Sequence, residues 1–196
     1  MKLKKAVFLD RDGTINEESE YLYRIEDCRF LPGVREAVKR LNSAGYLVVV
    51  VTNQSGIARG YYSESDLEKL HQYMEKEFAV SGARIDGWYY CPHHPNFPAE
   101  KAACDCRKPL PGMLQAASGE LGIDLSSSWM IGDKSVDAEA GIAAGCRSIL
   151  VRTGYGAAES AVAPAGAIIV DDLAAAVDVI LKNTWKPGSG RKQDGH

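Results

Sequence analysis

Two aspartates one residue apart, Asp10 and Asp12, are followed at once by Gly13 and Thr14, and an apolar tetrad, Ala6-Val-Phe-Leu9, leads into them. An apolar run ending on paired carboxylates puts them at the mouth of a strand, and glycine accepts the tight turn needed to leave it. One carboxylate of such a pair can attack an electrophile while the other protonates the leaving oxygen and later activates water. Phosphorus suits that nucleophile. A carboxylate cannot approach a phosphate dianion until charge is screened, which calls for Mg²⁺ held by Asp10, the Asp12 backbone and Asp133. Lys108, or Lys134, would neutralise the charge that remains. Two more strand-like runs end in the same manner, Val50-Val51 in Thr52-Asn53 and Met130-Ile131 in Gly132-Asp133. A lone aspartate after a strand is ordinarily a loop cap; three polar strand ends converge on a ligand when the sheet is open and parallel.

A second group of residues suits a different metal. Of five cysteines, Cys91, Cys104 and Cys106 lie close together, with His93 and His94 between them in Cys91-Pro-His93-His94-Pro95, while Cys28 and Cys146 stand apart. Cys104 and Cys106 are separated by a single residue, and side chains that close in extended backbone point apart, so a relaxed disulfide is disfavoured. Three thiolates and one imidazole complete a tetrahedral structural zinc site without room for a catalytic water, taken here as Cys91, His93, Cys104 and Cys106, with His94 the competitor for His93. Such a zinc would stiffen a loop with little core and fix Arg107 and Lys108, the residues directly after its last ligand.

These groups need a scaffold to hold them. Apolar runs over 6–9, 47–51, 88–90, 129–131, 148–151 and 167–170 read as strands, and helical spacing over 34–41, 67–78, 113–121, 138–144 and 173–181 places helices between them. Strands alternating with helices predict a Rossmann-like three-layer α/β fold with a mostly parallel central sheet. Pro32-Gly33, Ser63 with Ser65, and Pro111 mark helix starts, and Gly45, Gly122 and Gly145 mark ends. Residues 157–167 form an alanine-rich stretch read as a loop or frayed segment. A chain of 196 residues, 45% of them hydrophobic, supports one core. The expected domain spans 1–183, with the zinc loop at about 91–106 and a glycine-rich polar tail over 184–196. About 17 residues separate Thr14 from Pro32, too few for a large cap domain.

Charge and apolar length exclude other classes. With 26 acidic and 23 basic residues spread along the chain and a net charge of -3, no basic face for nucleic acid stands out. The longest aliphatic run, 47–51, is far short of the roughly 20 residues that span a bilayer, and Met1-Lys-Leu-Lys-Lys leads into a strand instead of a signal-peptide core. The expectation is a cytoplasmic protein without membrane or nucleic-acid partners, a monomer by default, acting on a small molecule.

Asp10-Arg-Asp-Gly-Thr14, Thr52, Lys108 and Gly132-Asp133 with Asp137 resemble the haloacid dehalogenase superfamily over about residues 5 to 183. That resemblance implies Asp10 as nucleophile, Asp12 as acid and base, Thr52 and Lys108 as phosphoryl stabilisers and Asp133 as metal ligand. Asp12 also separates phosphatases from dehalogenases, because a C–Cl bond needs no leaving-group proton. Asp137 either orients Lys108 or a metal-bound water or sits on a helix surface. The zinc loop together with Thr52-Asn-Gln-Ser-Gly-Ile-Ala-Arg-Gly60 is similar to the branch that removes the 7-phosphate of D-glycero-D-manno-heptose 1,7-bisphosphate in nucleotide-heptose synthesis for lipopolysaccharide core or S-layer. By that similarity Asn53, Gln54, Ser55, Arg59, Arg107 and Lys134 contact substrate, with Glu18, Ser19, Glu20 and Tyr21 nearby. The arginine fork suits the phosphate that does not react; solvated surface arginines are the plainer alternative. Histidinol-phosphate phosphatases share the aspartate pair and a similar zinc loop and are the rival within this chemistry. A non-catalytic, zinc-stabilised interaction module and a redox protein using Cys104 and Cys106 are rivals from other classes.

Overall fold

Each apolar run becomes a strand of one parallel sheet: β1 (Ala6–Leu9), β2 (Leu47–Asn53), β3 (Gly87–Cys91), β4 (Trp129–Gly132), β5 (Arg147–Val151) and β6 (Ile168–Val170), ordered β3-β2-β1-β4-β5-β6. In the computed structural model the described residues are 3–96 and 104–182; the tail expected beyond 183 and part of the cysteine loop lie outside them. The all-aliphatic, β-branched character of Val48 to Val51 reflects burial on both faces, as the middle of a parallel sheet requires.

Helices cover the two faces unequally. Inward-pointing Val7, Leu9, Val48 and Val50 pack with α1 (Val34–Ser43), α2 (Glu64–Val80) and α6 (Leu173–Lys182). On the other side, Phe8, Val49, Val51 and Met130 meet α3 (Gly112–Leu121) and α4 (Ser135–Ala143). The alternation follows from the two-residue period of a strand, and it yields three layers. Residues 34, 37, 38 and 41, spaced for one helical face, are the buried ones of α1.

Two boundaries shift from the expectation. Ser63 caps α2, its hydroxyl accepting the Asp66 N–H while the Asp66 carboxylate accepts the Ser63 N–H; Ser65 lies one residue inside the helix. The alanine-rich 157–167 stretch opens with a helical turn, α5 (Gly156–Glu159), anchored where Glu159 accepts from the Ser135 N–H and hydroxyl. Among the described residues, no helix is long and apolar enough to cross a membrane.

Register decides what the strand ends deliver. Leu9 pairs with Val50 on one side and Ile131 on the other, so the residues leaving β1, β2 and β4 emerge level at the carboxyl edge. The sheet order reverses at β1, and the crevice next to it is where open α/β sheets bind ligands.

Candidate active site

A cavity of about 500 Å³ opens at that edge, lined by Asp10, Asp12, Thr52 and Lys108 and walled by Glu18 to Tyr21, Asn53 to Ser55, Tyr62, Arg107, Lys134, Val136, Asp137 and Tyr155. Residues 10–33, between β1 and α1, form one wall, and among the described residues no separate cap fold stands over it.

Lys108 is the hub. Its ammonium, 2% exposed, lies 2.7 Å from Asp10 Oδ1 and 2.6 Å from Asp137 Oδ1, and it donates to the Val51 carbonyl at 2.8 Å. All three of its protons are placed. Asp137 divides its oxygens between Lys108 and the Lys134 N–H at the start of α4, 3.0 Å from Oδ2, and it is buried, which removes the surface-helix alternative. Asn53 binds the Lys108 backbone twice, its amide nitrogen donating to the carbonyl and its oxygen accepting the N–H, both at 3.1 Å. The side chain expected to meet substrate therefore spends both amide atoms on holding Lys108.

Asp133 is fully buried; its Oδ2 accepts the Tyr155 N–H at 2.8 Å, while Oδ1 has no protein partner. Burial, then the neighbouring Asp10 carboxylate, pushes Asp133 up to about 8, and burial outweighs Lys108 to push Asp10 up to about 6. Oxygens of Asp10, Asp133 and Asp137 all lie within 4.8 Å of one another. An orphaned buried carboxylate oxygen among like charges fits a hard divalent cation with oxygen ligands. The turn is shaped for it: Gly13 has φ +78°, and a Cβ on Gly13 or Gly154 would collide with the Asp133 carboxylate.

Asp12 is gripped from several directions. Arg11 Nη2 reaches Oδ1 and Oδ2 at 3.0 and 2.9 Å, Asn16 donates to Oδ1 at 2.9 Å, and Gln54 donates to Oδ2 at 3.1 Å. Burial alone would raise the Asp12 carboxyl, but the Arg11 charge and these bonds outweigh it and hold it below the ordinary value. Arg11 itself is fully buried and also donates to the Leu22 carbonyl at 3.1 Å. Its Nη1 lies 3.3 Å from His71 Nε2, and because guanidinium only donates, that nitrogen accepts and the His71 proton sits on Nδ1. Burial and then the Arg11 charge push His71 down to about 3, so it is neutral. Stacked on Trp88 with ring centroids 4.5 Å apart, it occupies the apolar stripe of α2 with Leu67, Leu70, Met74 and Phe78. A histidine in that stripe was the one sequence signal for this buried support.

The proposed cation carriers distribute unevenly. Arg107 lines the cavity and donates to the His93 carbonyl at 3.0 Å. Lys134 lines it while paired to Glu18 at 3.1 Å and lying 4.4 Å above the Tyr155 ring. Arg59 is not among the residues lining the cavity; its Nη2 lies 2.9 Å from His94 Nε2. Tyr155 and Val136, reached from β4 and β5 across the chain, carried no local sequence signal.

The cysteine cluster stands beside this site. Cys91 Sγ lies 3.7 Å from both Cys104 Sγ and His93 Nδ1, and Cys106 Sγ lies 3.4 Å from His93 Nδ1. Edges of a tetrahedron with metal–sulfur bonds near 2.3 Å and metal–nitrogen bonds near 2.0 Å come to about 3.8 Å between sulfurs and about 3.5 Å between sulfur and nitrogen. His94 is turned to Arg59 instead and accepts the Asn96 N–H, leaving His93 as the imidazole of the cluster.

Strand order, paired carboxylates at the β1 exit, the lysine hub and the orphaned Asp133 oxygen define a haloacid dehalogenase (HAD) hydrolase, and the HAD-hydrolase-like family model matches residues 105–176. D-glycero-beta-D-manno-heptose-1,7-bisphosphate 7-phosphatase of Photorhabdus laumondii is 51% identical over 76% of this chain and 81% of its own length. The Escherichia coli K12 protein of the same name is 48% identical over 76% of this chain and 80% of its own. The crystal structure of D,D-heptose 1,7-bisphosphate phosphatase from B. bronchiseptica complexed with magnesium and phosphate superimposes with a TM-score of 0.83 at 36% identity, covering 91% of this chain and 98% of that one. The chain belongs to the D-glycero-D-manno-heptose 1,7-bisphosphate 7-phosphatase family of HAD hydrolases.

Proposed function

We propose that the chain hydrolyses the 7-phosphate of D-glycero-β-D-manno-heptose 1,7-bisphosphate, leaving the 1-phosphate, through an aspartyl-phosphate on Asp10. The observation that carries this reading is the convergence of Asp10, Asp12, Thr52 and Lys108 on one shared cavity, with Lys108 2.7 Å from the nucleophile. Support comes from the activity for which relatives about half identical to it are named and from magnesium and phosphate in the B. bronchiseptica structure. The β anomer follows the names of those relatives.

Asp10 forms its bond to phosphorus as the bond from phosphorus to the sugar oxygen breaks, and Asp12 supplies the proton to that oxygen. Arrival of a phosphate dianion beside Asp12 opposes a second negative charge there and favours the protonated acid. Lys108 and the Thr52 hydroxyl hold the equatorial oxygens. Asp12, now a carboxylate, takes a proton from the water that attacks phosphorus, and Asp10 leaves. Asp10, Asp133 and the Asp12 carbonyl would hold Mg²⁺, whose charge lets a carboxylate meet a dianion. Arg107 and Lys134 supply positive charge for the 1-phosphate. Cys91, His93, Cys104 and Cys106 would hold zinc as a structural ion that fixes the Arg107-Lys108 segment.

The test is phosphate release from both anomers of the heptose bisphosphate and from histidinol phosphate, with Mg²⁺ and in magnesium-depleted buffer. Magnesium-dependent preference for the β-heptose is expected. Preference for histidinol phosphate would keep the chemistry and overturn the substrate; no release from any would overturn the enzyme.

A further inference from the structure

Gln54 stands where a substrate contact was expected, but it is 3% exposed and its amide is fully committed. Its Nε2 donates to Asp12 Oδ2 at 3.1 Å and to Thr52 Oγ1 at 2.8 Å. An ionised carboxylate only accepts, so the nitrogen of the amide must face Asp12 and its oxygen must face the other way, onto the Tyr62 hydroxyl 2.6 Å off. Tyr62 therefore donates, and Thr52, accepting from Gln54, keeps its own hydroxyl proton for the cavity. The ring that presents this hydroxyl is buried, stacked on Tyr23 at 5.2 Å, and seated over Gly56, where any Cβ would run into it. A flipped amide would set its oxygen against the Asp12 carboxylate and could no longer accept the Tyr62 proton.

We infer that Tyr62 is a positioning residue that, through the Gln54 amide, aims the Asp12 carboxyl at the leaving-group oxygen. The inference rests on the phosphatase reading above. Its support is geometric: a buried phenol, with no charge to lend, sits one side chain removed from the acid and base and touches it only through Gln54. Misaiming the acid damages the step in which a proton must reach the leaving oxygen. A sugar alkoxide needs that proton, whereas a nitrophenolate departs without it.

The experiment compares kcat and KM of wild type and Tyr62→Phe on the heptose bisphosphate and on 4-nitrophenyl phosphate. The full chain is used, saturated with Mg²⁺, with a melting curve for each protein. The variant deletes one oxygen and keeps the ring. Expected is a fall of about tenfold in kcat on the sugar substrate, part of the roughly 10²–10⁴ that general acid catalysis supplies, with KM little changed and a loss below about threefold on the aryl substrate. Gln54→Met removes the whole bridge and also the donor that orients Thr52, so it should lose activity on both substrates but more on the sugar. Equal losses on both substrates, a rise in KM with kcat preserved, or unchanged kinetics in both variants would each overturn the inference while leaving the phosphatase standing. A wild-type protein inert toward both substrates would overturn the phosphatase reading and this inference with it.

Discussion

Lys108→Met isolates the electrostatic cost of the site from its chemistry. Methionine keeps most of the length and the apolar stem of Lys108 but deletes three donors, those to Asp10 at 2.7 Å, Asp137 at 2.6 Å and the Val51 carbonyl at 2.8 Å. Both carboxylates are buried at the floor of the cavity, so the substitution leaves two charges without their ammonium partner where little water can replace it. Breaking a buried pair by removing one partner costs about 3–5 kcal/mol. For a domain of this size that lowers the melting temperature by roughly 10 °C. The loss depends on pH with a definite sign. Asp10 already sits above the ordinary carboxyl value, at about 6, and removal of Lys108 raises it further. A folded-state carboxyl raised above its unfolded value keeps a proton that the unfolded chain has released, so stability falls as pH rises from near 4 through the folded value. The penalty for the variant is therefore largest at pH 8 and smaller at pH 5.5, where Asp10 is neutral. Urea unfolding in magnesium-free buffer at those two pH values measures it. A cost below about 1 kcal/mol at both, or a cost that grows toward pH 5.5, would refute the buried-hub account.

Asp10→Asn should fold with wild-type stability or better and lose turnover, because the amide keeps the shape and lacks the nucleophile; wild-type turnover of the verified variant would sink the aspartyl-phosphate. Cys104→Ser should lose bound zinc and melt lower, read by metal content and calorimetry, and a full zinc complement at an unchanged melting temperature would count against the cluster as a structural site. In magnesium-free buffer the wild type should lose about 1.4 kcal/mol per pH unit between pH 5 and 7 through Asp133, which is raised from 3.8 to about 8, and Mg²⁺ should restore more stability at the higher pH. A magnesium-induced shift in melting temperature that is the same at pH 5.5 and pH 8 would contradict that assignment. Gly13→Ala should weaken Mg²⁺ binding in calorimetric titration, since its Cβ and the Asp133 carboxylate compete for one space; unaltered affinity would argue against the turn as the cradle.

Local chemistry determined much of this protein from the sequence alone. Strand and helix positions follow from apolar period, the strand-end aspartates follow from where those periods stop, and the cysteine–histidine spacing picks out the four residues that the fold brings together as a candidate metal cluster. What a polar side chain does with its hydrogen bonds was not decided locally. Asn53, Gln54 and Arg59 belong to one segment expected to meet substrate, yet Asn53 braces Lys108, Gln54 bridges Asp12 to Tyr62, and Arg59 turns to His94. Arg11 lies between two aspartates that dominate the motif, and its role emerges only when Leu22 and His71, 11 and 60 residues away, close around it. Periodicity is a property of neighbours along the chain, so sequence carries it. Satisfaction of a buried donor or acceptor is a property of whatever the fold brings within about 3 Å, and only tertiary structure supplies that partner.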